Sequence, residues 1–431
     1  MIDILPGFRE FFPEDCFYRN YLFSKIRTCC KNFGFCEYDS PILEPLELFT
    51  EKSGEEIASQ LFAFEDKGGR SVAMRPEITP AVARMIGSKI NTLKRPLKWF
   101  SIEENFRYER PQKGRLRSFY QANFDIFDEQ SIAADVEIIS LAINVLCSLG
   151  LQSSDFHVRL SDRILWNILL QIYNIENISD VLSIIDRLEK EPNAIDTLRK
   201  FCTNPEDFLH TIETLNNARS IAEIKEIFLK KLQNDTPLYQ EFTTRIAEFE
   251  LMMSHFEKID LLKFITIDFR IVRGLAYYTG FVFEFFERHG KSRAIAGGGR
   301  YDKLIEKFGY QSTPAVGMAI GDVVLSNILH EKNLFPEYKN KSQIYVLFDQ
   351  SENNYQSALQ LANQLRFDGY SVNISLKSDM SLNKQFKQVS NAEFLVIFRE
   401  NEIIFKDNKS KTEQILSSEE LLNTIRTSVK H

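Results

Sequence analysis

Residues 106–125 carry the strongest chemical signal in this sequence. Five cations fall within about a dozen residues there: Arg107, Arg110, Lys113, Arg115 and Arg117. Arg107 ends a stretch of alternating apolar and polar residues, so we expect a rigid strand to aim it. A guanidinium held in this way can bind a phosphate through two parallel hydrogen bonds. Taken alone, the same pattern also describes an ordinary solvated basic hairpin.

Two further segments carry residue types suited to a small polar ligand. Met74-Arg-Pro-Glu77-Ile-Thr79 offers acceptors, and Arg273-Gly-Leu-Ala-Tyr277-Tyr278 adds another cation and two phenols. The string Ala296-Gly-Gly-Gly-Arg-Tyr-Asp would let backbone approach a ligand closely. In isolation, the tyrosines also describe half-buried strand aromatics, Asp125 a solvated strand-end carboxylate, and the glycines a turn.

These residues flank a predicted antiparallel hairpin. Residues 97–108 and 118–127 both alternate between apolar and polar side chains, which is typical of strands. The connection from Glu109 to Arg117 is too long and too charged for a simple turn. Before the hairpin, helical spacing predicts a helix over 17–36, with Gly34 as a plausible stop.

Composition divides the rest of the chain into blocks. An apolar helix is predicted at about 133–150, and the pattern from about 160 to 262 is almost entirely helical. No glycine lies between Gly150 and Gly274. A helical block between two strand-rich blocks predicts an insertion into a domain, at about 160–265.

After about Pro336 the pattern changes again. Strands at 343–348, 371–375 and 393–398 alternate with helices near 353–366 and 381–389, which predicts a small parallel-sheet α/β domain. We therefore expect an α+β domain with an antiparallel sheet at 1–335, carrying the insertion, and an α/β domain at 340–431.

Composition also excludes several classes of protein. The 431 residues carry 53 basic and 60 acidic side chains, a net charge of -7, so any nucleic-acid site must be a local basic patch. No apolar run is long enough for a membrane span, and no secretory signal is visible at the start. The six cysteines form no C-x-x-C pair, which argues against a zinc site or a disulfide framework. A cytoplasmic location is expected.

Together, the three chemical segments resemble the histidyl branch of class II aminoacyl-tRNA synthetases. The predicted first helix, the strand after it and Pro41 look like class II motif 1, a dimerisation element. Phe106-Arg107-Tyr-Glu109 with its loop looks like motif 2. The Arg-Gly-Leu-x-Tyr-Tyr and Ala-Gly-Gly-Gly-Arg-Tyr-Asp strings are peculiar to the histidyl branch. The resemblance runs from about residue 5 to 330, and the C-terminal domain has the family's place and pattern.

The resemblance implies a two-step ligase reaction. L-Histidine attacks the α-phosphorus of ATP to give histidyl-adenylate, and the 3′ end of histidine tRNA then takes the histidyl group. By analogy, Arg107 and Arg273 are the catalytic cations on opposite sides of the α-phosphate, where other class II enzymes use a metal in place of the second arginine. Glu109 would bind the adenine, and Arg115 the outer phosphates. Mg²⁺ is expected with ATP or pyrophosphate, and Glu284 is a candidate ligand for it.

The same analogy assigns the histidine pocket. Glu77, Thr79 and Gln121 would accept hydrogen bonds from the ammonium group. Asp125 and Tyr278 would each partner one imidazole nitrogen, with Tyr277 lining the pocket. The remaining histidine-binding residues implied by the family are Arg107 and Arg273.

Contacts with tRNA and a second subunit are also implied by the family. In the motif 2 loop, Arg110, Gln112 and Lys113 would approach the tRNA acceptor end, including the additional 5′ guanosine. The C-terminal domain would read the anticodon, with Lys377, Lys384 and Lys387 as possible phosphate contacts or as plain surface lysines. The insertion would clamp the acceptor stem, and motif 1 predicts a homodimer.

Three residues depart from the family pattern. Val324 stands near the position of the motif 3 arginine that holds ATP, Ala276 stands where many members carry Asp, and Asp125 where many carry Glu. The helix after Gly321 can still present its positive end to phosphate. Two other readings stay open: a non-catalytic regulator that pairs with the ATP phosphoribosyltransferase of histidine biosynthesis, and a nucleic-acid-binding module without chemistry.

Overall fold

A computed structural model describes most of the chain. The chain divides into two compact units. The described residues are 2–50, 59–188, 191–273, 277–290, 293–338, 343–376, 379–387, 389, 392–400 and 402–428. The first unit is Met1–Pro336 and the second is Glu337–His431.

The strands of the first unit form two sheets. In chain order they are β1 (Cys36–Glu37), β2 (Leu43–Pro45), β3 (Phe62–Glu65), β4 (Ser71–Met74), β5 (Leu97–Phe106), β6 (Ser118–Phe127), β7 (Phe156–Asp162), β8 (Ile265–Ile267), β9 (Phe281–Glu287), β10 (Ala296–Arg300) and β11 (Ala315–Gly321). Eight of them make one sheet in the order β1-β5-β6-β11-β10-β9-β7-β8, and β2-β4-β3 make a small second sheet. All pairings inside the large sheet are antiparallel except β1 with β5 and β7 with β8.

The helices of this unit lie before, between and after those strands. They are α1 (Pro13–Asn32), α2 (Glu47–Thr50), α3 (Thr79–Lys89), α4 (Ile132–Ser148), α5 (Arg163–Ile172), α6 (Ile178–Arg187), α7 (Ile195–Leu198), α8 (Pro205–Asn217), α9 (Ile221–Leu229), α10 (Pro237–Lys258), α11 (Leu304–Lys307) and α12 (Asp322–Glu331). Short 3₁₀ turns occur at Pro192–Ala194, Arg199–Phe201 and Leu262–Phe264.

The predicted hairpin is the centre of the large sheet. β5 and β6 pair antiparallel in unbroken register from Leu97↔Phe127 to Phe106↔Ser118, as their alternating pattern predicted. The even-numbered side chains of β6 (Ala122, Phe124, Ile126) are buried in the main core with those of α4. The odd-numbered side chains of β6 therefore face the opposite surface of the sheet.

Two helical expectations need adjusting. The first helix begins four residues earlier than predicted, because Pro13 suits the first turn, and it ends at Asn32 before Gly34, whose φ is +78°. The helical block starts at Arg163, since residues 160–162 belong to β7 and pair with β9. The strand has only seven residues and lies directly before an amphipathic helix. Its alternation was too short to distinguish the strand from the helix that follows it.

The second unit is an α/β fold, but its sheet is mixed, so the expectation of a parallel sheet was wrong in part. Its elements are β12 (Ile344–Phe348), α13 (Glu352–Phe367), β13 (Val372–Ile374), α14 (Leu382–Phe386), β14 (Phe394–Arg399), β15 (Glu402–Asp407), β16 (Thr412–Leu416) and α15 (Ser418–Ser428). β13, β12 and β14 are parallel, whereas β15 and β16 continue the sheet as an antiparallel meander. These two strands are more exposed, so their sequence lacks the apolar run of a buried parallel strand.

Among the residues described, no helix is both long enough and apolar enough to cross a membrane.

Candidate active site

The site lies on the face of the large sheet opposite α4. Gln121, Asn123 and Asp125 project from β6 on that face, and β11 runs beside them with Gly317 opposite Asp125 and Ala319 opposite Asn123. On the far side of β11, Gly297 of β10 pairs with Ala319. Three neighbouring strands thus present polar side chains from one strand and small residues from the next two, which leaves a polar cavity above the sheet.

Asp125 is buried beside the cavity and has no described cation against it. Its Oδ1 accepts a hydrogen bond of 2.5 Å from the Tyr301 hydroxyl, and Tyr301 itself lines the cavity. Burial raises the pKa of the Asp125 carboxyl to about 7, although the bond from Tyr301 opposes the shift. The carboxylate fits because residue 317 is glycine: a Cβ there would lie 1.9 Å from Asp125 Oδ1.

Buried acceptor atoms on this face include Oδ2 of Asp125 and Oδ1 of Asn123. Neither atom has a hydrogen-bond partner among the described residues. A buried acceptor without a donor costs about 1–3 kcal/mol, so such atoms mark the place where a ligand supplies the donors. The missing partner must therefore carry N–H or O–H groups.

Glu77 and Thr79 reach the cavity from the segment that leads into α3. Glu77 is 5% exposed, and the Tyr277 hydroxyl donates to its Oε2 at 3.2 Å. The preceding Arg75 is anchored in the sheet: it pairs with Glu103 of β5, and its Nη1 donates to the carbonyl of Ser40 at 2.6 Å. A buried carboxylate is thus fixed on the cavity wall by a segment tied to the sheet.

Arg107 follows directly after β5 and leans over the same cavity. Its Nε donates to the carbonyl of Pro76 at 2.9 Å, so the arginine and the Glu77 segment hold each other in place. Its guanidinium lies 5.4 Å from the ring centre of Phe119. Among the described residues, neither Nη group makes a hydrogen bond or a salt bridge, so both can bind an anion at the cavity mouth.

Arg273 enters the cavity from the opposite side. Its Nη1 lies 3.3 Å from Oε1 of Glu284, and its guanidinium lies 5.4 Å from the ring centre of Tyr278. The side chain occupies the space above Gly297, where a Cβ would lie 1.5 Å from Nη1. Gly299 is equally constrained, since its Cβ would lie 2.8 Å from the Tyr278 ring. The glycines of β10 therefore make room for the residues that the Arg-Gly-Leu-x-Tyr-Tyr string supplies.

The backbone of Arg273 is held in an unusual conformation by Arg163. Arg273 has φ of +57°, a left-handed value that costs a residue with a side chain about 1–3 kcal/mol at such sites. The buried Arg163 donates from Nη1 to the carbonyls of Arg273 at 2.9 Å and of Val272 at 3.2 Å. Its neighbour Asp162 caps α5 and is held by Arg245 of α10. The inserted helices thereby connect to the backbone of Arg273.

The loop after β5 forms a second, more exposed part of the site. Arg115 Nη1 lies 2.6 Å from Oε2 of Glu109, and the Arg115 side chain is 38% exposed. Gln112 and Arg115 exchange backbone hydrogen bonds around a tight turn, with Gly114 at φ +80°. The residues expected to bind adenine and the outer phosphates therefore form an ion pair with each other in this structure.

The strand and helix that correspond to motif 3 border this loop. Val324, in the first turn of α12, lies on the side that faces Gly114. The N-terminus of α12 holds a charge of its own: the Asp322 carboxylate accepts from the backbone N–H of Tyr120 at 2.9 Å and pairs with Arg9 at 2.8 Å. This arrangement weakens the expectation that the helix terminus alone binds phosphate, because Asp322 already complements the positive end of the helix.

The structure brings most of the predicted site residues together. Those that line the one cavity are Glu77, Thr79, Arg107, Gln121, Arg273, Tyr277 and Tyr278. Asp125 reaches it through Tyr301, whereas Glu109, Arg110, Gln112, Lys113 and Arg115 lie in the loop outside it. Ala276 and Lys377 fall outside the described residues.

Sequence reasoning missed three residues that shape the cavity: Asn123, Tyr301 and Arg163. Asn123 had a usable signal, because it alternates with Gln121 and Asp125 on one strand. Tyr301 belongs to the Ala296-Gly-Gly-Gly-Arg-Tyr-Asp string, but the sequence assigned it no role. Arg163 had no local signal, since its contacts lie more than a hundred residues away.

Among the described residues, no three side chains of His, Cys, Asp or Glu converge in a way that would hold a metal ion. The candidate ligand Glu284 instead faces the Arg273 guanidinium. The described residues therefore do not form a site that fits a metal ion held by the protein.

A mainly antiparallel sheet with one arginine on each side of a polar pocket agrees with the catalytic domain of a class II aminoacyl-tRNA synthetase. A family model described as histidyl-tRNA synthetase matches residues 7–322. A histidine–tRNA ligase of Opitutus terrae is 41% identical and covers 98% of this chain and 97% of its own length. A chloroplastic/mitochondrial histidine–tRNA ligase of Arabidopsis thaliana is 37% identical over 97% of this chain and 84% of its own.

Solved structures agree on the fold. A histidyl-tRNA synthetase from Nostoc superposes with a TM-score of 0.77 at 25% identity and covers 99% of both chains. A Bacillus halodurans protein titled as an ATP phosphoribosyltransferase regulatory subunit/histidyl-tRNA synthetase superposes with a TM-score of 0.76 at 20% identity, over 93% of this chain and 99% of its own, which supports the fold alone. The chain belongs to the histidyl-tRNA synthetase family. The predicted α+β fold with its helical insertion and C-terminal α/β domain is confirmed.

Proposed function

We propose that this protein is a histidine–tRNA ligase, and that the cavity between Arg107 and Arg273 forms histidyl-adenylate. The observation that carries the proposal is the pairing of two opposed guanidinia with buried acceptors that lack donors. An amino acid with a cationic ammonium and a polar ring supplies those donors, while its carboxylate and the nucleotide phosphate supply negative charge to the arginines.

Recognition of histidine rests on the buried acceptors. The ammonium group binds near Glu77, Thr79 and Gln121, where a carboxylate on a rigid segment balances its charge. The imidazole N–H donates to Asp125, and the second ring nitrogen meets a phenol, that of Tyr278. A site of this kind rejects side chains that lack either nitrogen, because its own polar groups would stay unpaired.

The first chemical step is attack by a histidine carboxylate oxygen on the α-phosphorus of ATP, with pyrophosphate as the leaving group. Negative charge spreads over the α-phosphoryl oxygens in the transition state, so fixed cations accelerate the step. Arg107 and Arg273 fit this role, because both are held in place before substrate arrives. The carbonyl of Pro76 holds the side chain of Arg107, and Arg163 holds the backbone of Arg273.

In the second step, a terminal hydroxyl of the tRNA attacks the carbonyl carbon of the adenylate, and AMP leaves. The motif 2 loop fits the approach of the acceptor end: Lys113 is 85% exposed, and its one ion pair within the described part of the chain is a long contact of 3.5 Å with Glu331. Arg110 and Gln112 lie in the same loop. The C-terminal unit would read the anticodon, with Lys384 and Lys387 as phosphate contacts.

ATP is a substrate here, and Mg²⁺ would arrive bound to its phosphates or to pyrophosphate. We further propose a homodimer, because apolar side chains stay uncovered after the motif 1 elements: Ile42 is 47% exposed and Leu43 is 44% exposed. Sedimentation as a monomer at micromolar concentration would contradict the dimer.

The test of the function is aminoacylation of histidine tRNA by the purified full chain with ATP and Mg²⁺. We expect labelled histidine to become acid-precipitable with histidine tRNA and not with other tRNAs. No charging, together with co-purification of a phosphoribosyltransferase, would instead favour the regulatory alternative. Binding of tRNA without charging would favour the non-catalytic module.

A further inference from the structure

We propose that Arg293 binds the β- and γ-phosphates of ATP together with Arg115, and so supplies the cation that Val324 does not provide. The inference rests on the proposed ligase function. It assigns a substrate-binding role to a residue in the connection between β9 and β10, outside the motifs that carry the family resemblance.

Three segments meet at the turn of the motif 2 loop. A Cβ built on Gly114 would lie 3.5 Å from Cγ2 of Val324 and 3.6 Å from Cδ of Arg293. The first turn of α12 and the connection before β10 therefore approach the same point of the loop. Arg293 thus extends into the area that a longer side chain at position 324 would share.

The charges at this point do not balance. Arg115 already pairs with Glu109 at 2.6 Å, and no salt bridge joins Arg293 to any carboxylate in the described part of the chain. The pKa of the Arg293 guanidinium is lowered by partial burial and by the nearby Arg115, which together outweigh the attraction of Glu109. Two guanidinia thus share one carboxylate, and an incoming polyanion relieves their repulsion.

The position of Arg293 favours a nucleoside triphosphate as that polyanion. Arg293 approaches Gly114 together with the first turn of α12, and it lies near the Glu109–Arg115 pair. Lys113, by contrast, points to solvent and lies near Glu331 at the far end of α12. A phosphate between Arg115 and Arg293 would therefore lie close to Val324, near the position where the resemblance expects the motif 3 arginine that holds ATP.

The side chain of Arg293 is exposed, and it makes no hydrogen bond or salt bridge within the described part of the chain. Its replacement should therefore leave the fold intact. This property separates a ligand contact from a packing role. It also makes the effect on ATP measurable without a large loss of protein stability.

Histidine-dependent exchange of labelled pyrophosphate into ATP tests the proposal in the full chain. Arg293→Ala should raise the KM for ATP by about tenfold to a hundredfold, as expected for the loss of a charge-assisted contact, while the KM for histidine stays the same. The matched control is Arg288→Ala, an exposed arginine in the same connection that bonds to the carbonyls of Ser153 and Lys263, which should leave both constants unchanged.

A rescue variant adds a second readout. Because Val324 and Arg293 face the same point of Gly114, Val324→Arg in the Arg293→Ala background should restore most of the affinity for ATP. Arg293→Lys should restore part of it, since an ammonium keeps the charge without the two-pronged geometry.

The outcomes separate this inference from the proposed function. If the wild type shows no exchange with histidine, the ligase function fails first. If the wild type exchanges and Arg293→Ala has the same KM for ATP, only the role of Arg293 is overturned. A rise confined to the KM for tRNA during aminoacylation would also overturn it, because the phosphate bound there would belong to the tRNA.

Discussion

The two ends of the proposed catalytic cleft are built in different ways. At the end proposed to bind histidine, Asp125, Glu77 and Tyr277 are no more than 5% exposed and are fixed by hydrogen bonds and by the glycines beside them. At the end proposed to bind the nucleotide, Arg115 is 38% exposed, and its partner is the neighbouring Glu109 on the same loop.

This difference gives the two ends different roles: the histidine end determines which amino acid is selected, and the nucleotide end contributes affinity for ATP. A buried set of acceptors cannot rearrange, so it favours the one side chain whose donors match it. An ion pair on an exposed loop is worth about 0–1 kcal/mol, so ATP can replace it at little cost. We therefore expect small changes at the histidine end to be severe and the loss of the Glu109–Arg115 ion pair at the nucleotide end to be mild.

The largest effect is expected for Gly297→Ala. This variant tests whether the histidine end can accommodate an added methyl group without loss of activity. The added methyl would lie 1.5 Å from Arg273 Nη1 and must displace the guanidinium. Loss of one fixed cation from the transition state predicts a fall of about a hundredfold to a thousandfold in the pyrophosphate exchange rate. The control is Gly321→Ala, since a Cβ there meets no atom within 4 Å. Equal rates for the two variants would contradict a rigid site.

Asp125→Asn should have the next largest effect. It removes a charged acceptor while keeping the size of the side chain, so kcat/KM for histidine should fall by about a hundredfold. Glu109→Gln at the nucleotide end is the comparison, with an expected rise in the KM for ATP of less than about tenfold. If Glu109→Gln proved the more damaging change, the proposed contrast between the two ends would be reversed.

Arg163→Ala tests whether a residue remote from substrate positions the catalytic arginine. We expect kcat to fall about tenfold or more with little change in either KM, because the Arg273 carbonyl loses its donor. Adding Arg163→Ala to Arg273→Ala should cause no further fall in rate, which a merely structural role would not explain. Additive losses would show that Arg163 acts elsewhere.

The smallest effect concerns stability and pH. The pKa of Asp125 is about 7 in the fold and about 3.9 in an unfolded chain, so the folded state binds the extra proton between those values. Stability from this group is therefore fully present below about pH 4 and is lost as the pH rises to about 7. Asp125→Asn removes that slope, so its melting temperature relative to the wild type should rise from pH 5 to pH 8. A constant difference would mean that the carboxylate ionises normally.

Much of the catalytic unit was predictable because its signals are local. The β5–β6 hairpin follows from side-chain alternation, and Arg107 from its place at the strand end. The purpose of Gly297 and Gly299 was not predictable, since what their missing side chains avoid depends on Arg273 and Tyr278 from another segment. The Glu109–Arg115 pair was missed because the family analogy gave both residues to the ligand.

The second unit shows the same limit. Its first three strands follow from apolar runs alternating with helices, whereas β15 and β16 carry mostly half-exposed and exposed residues. A strand at the edge of a sheet has no strong pattern of burial, so its direction depends on pairing that the sequence does not display.

The most direct test of the account is histidine-dependent pyrophosphate exchange by the wild type and by Arg273→Ala, with each of the common amino acids offered in turn. The account predicts exchange with histidine alone, and its near-complete loss in Arg273→Ala while histidine still binds. Exchange at an unchanged rate in Arg273→Ala would contradict the role given to the opposed arginines. Absence of exchange in the wild type would contradict the ligase itself.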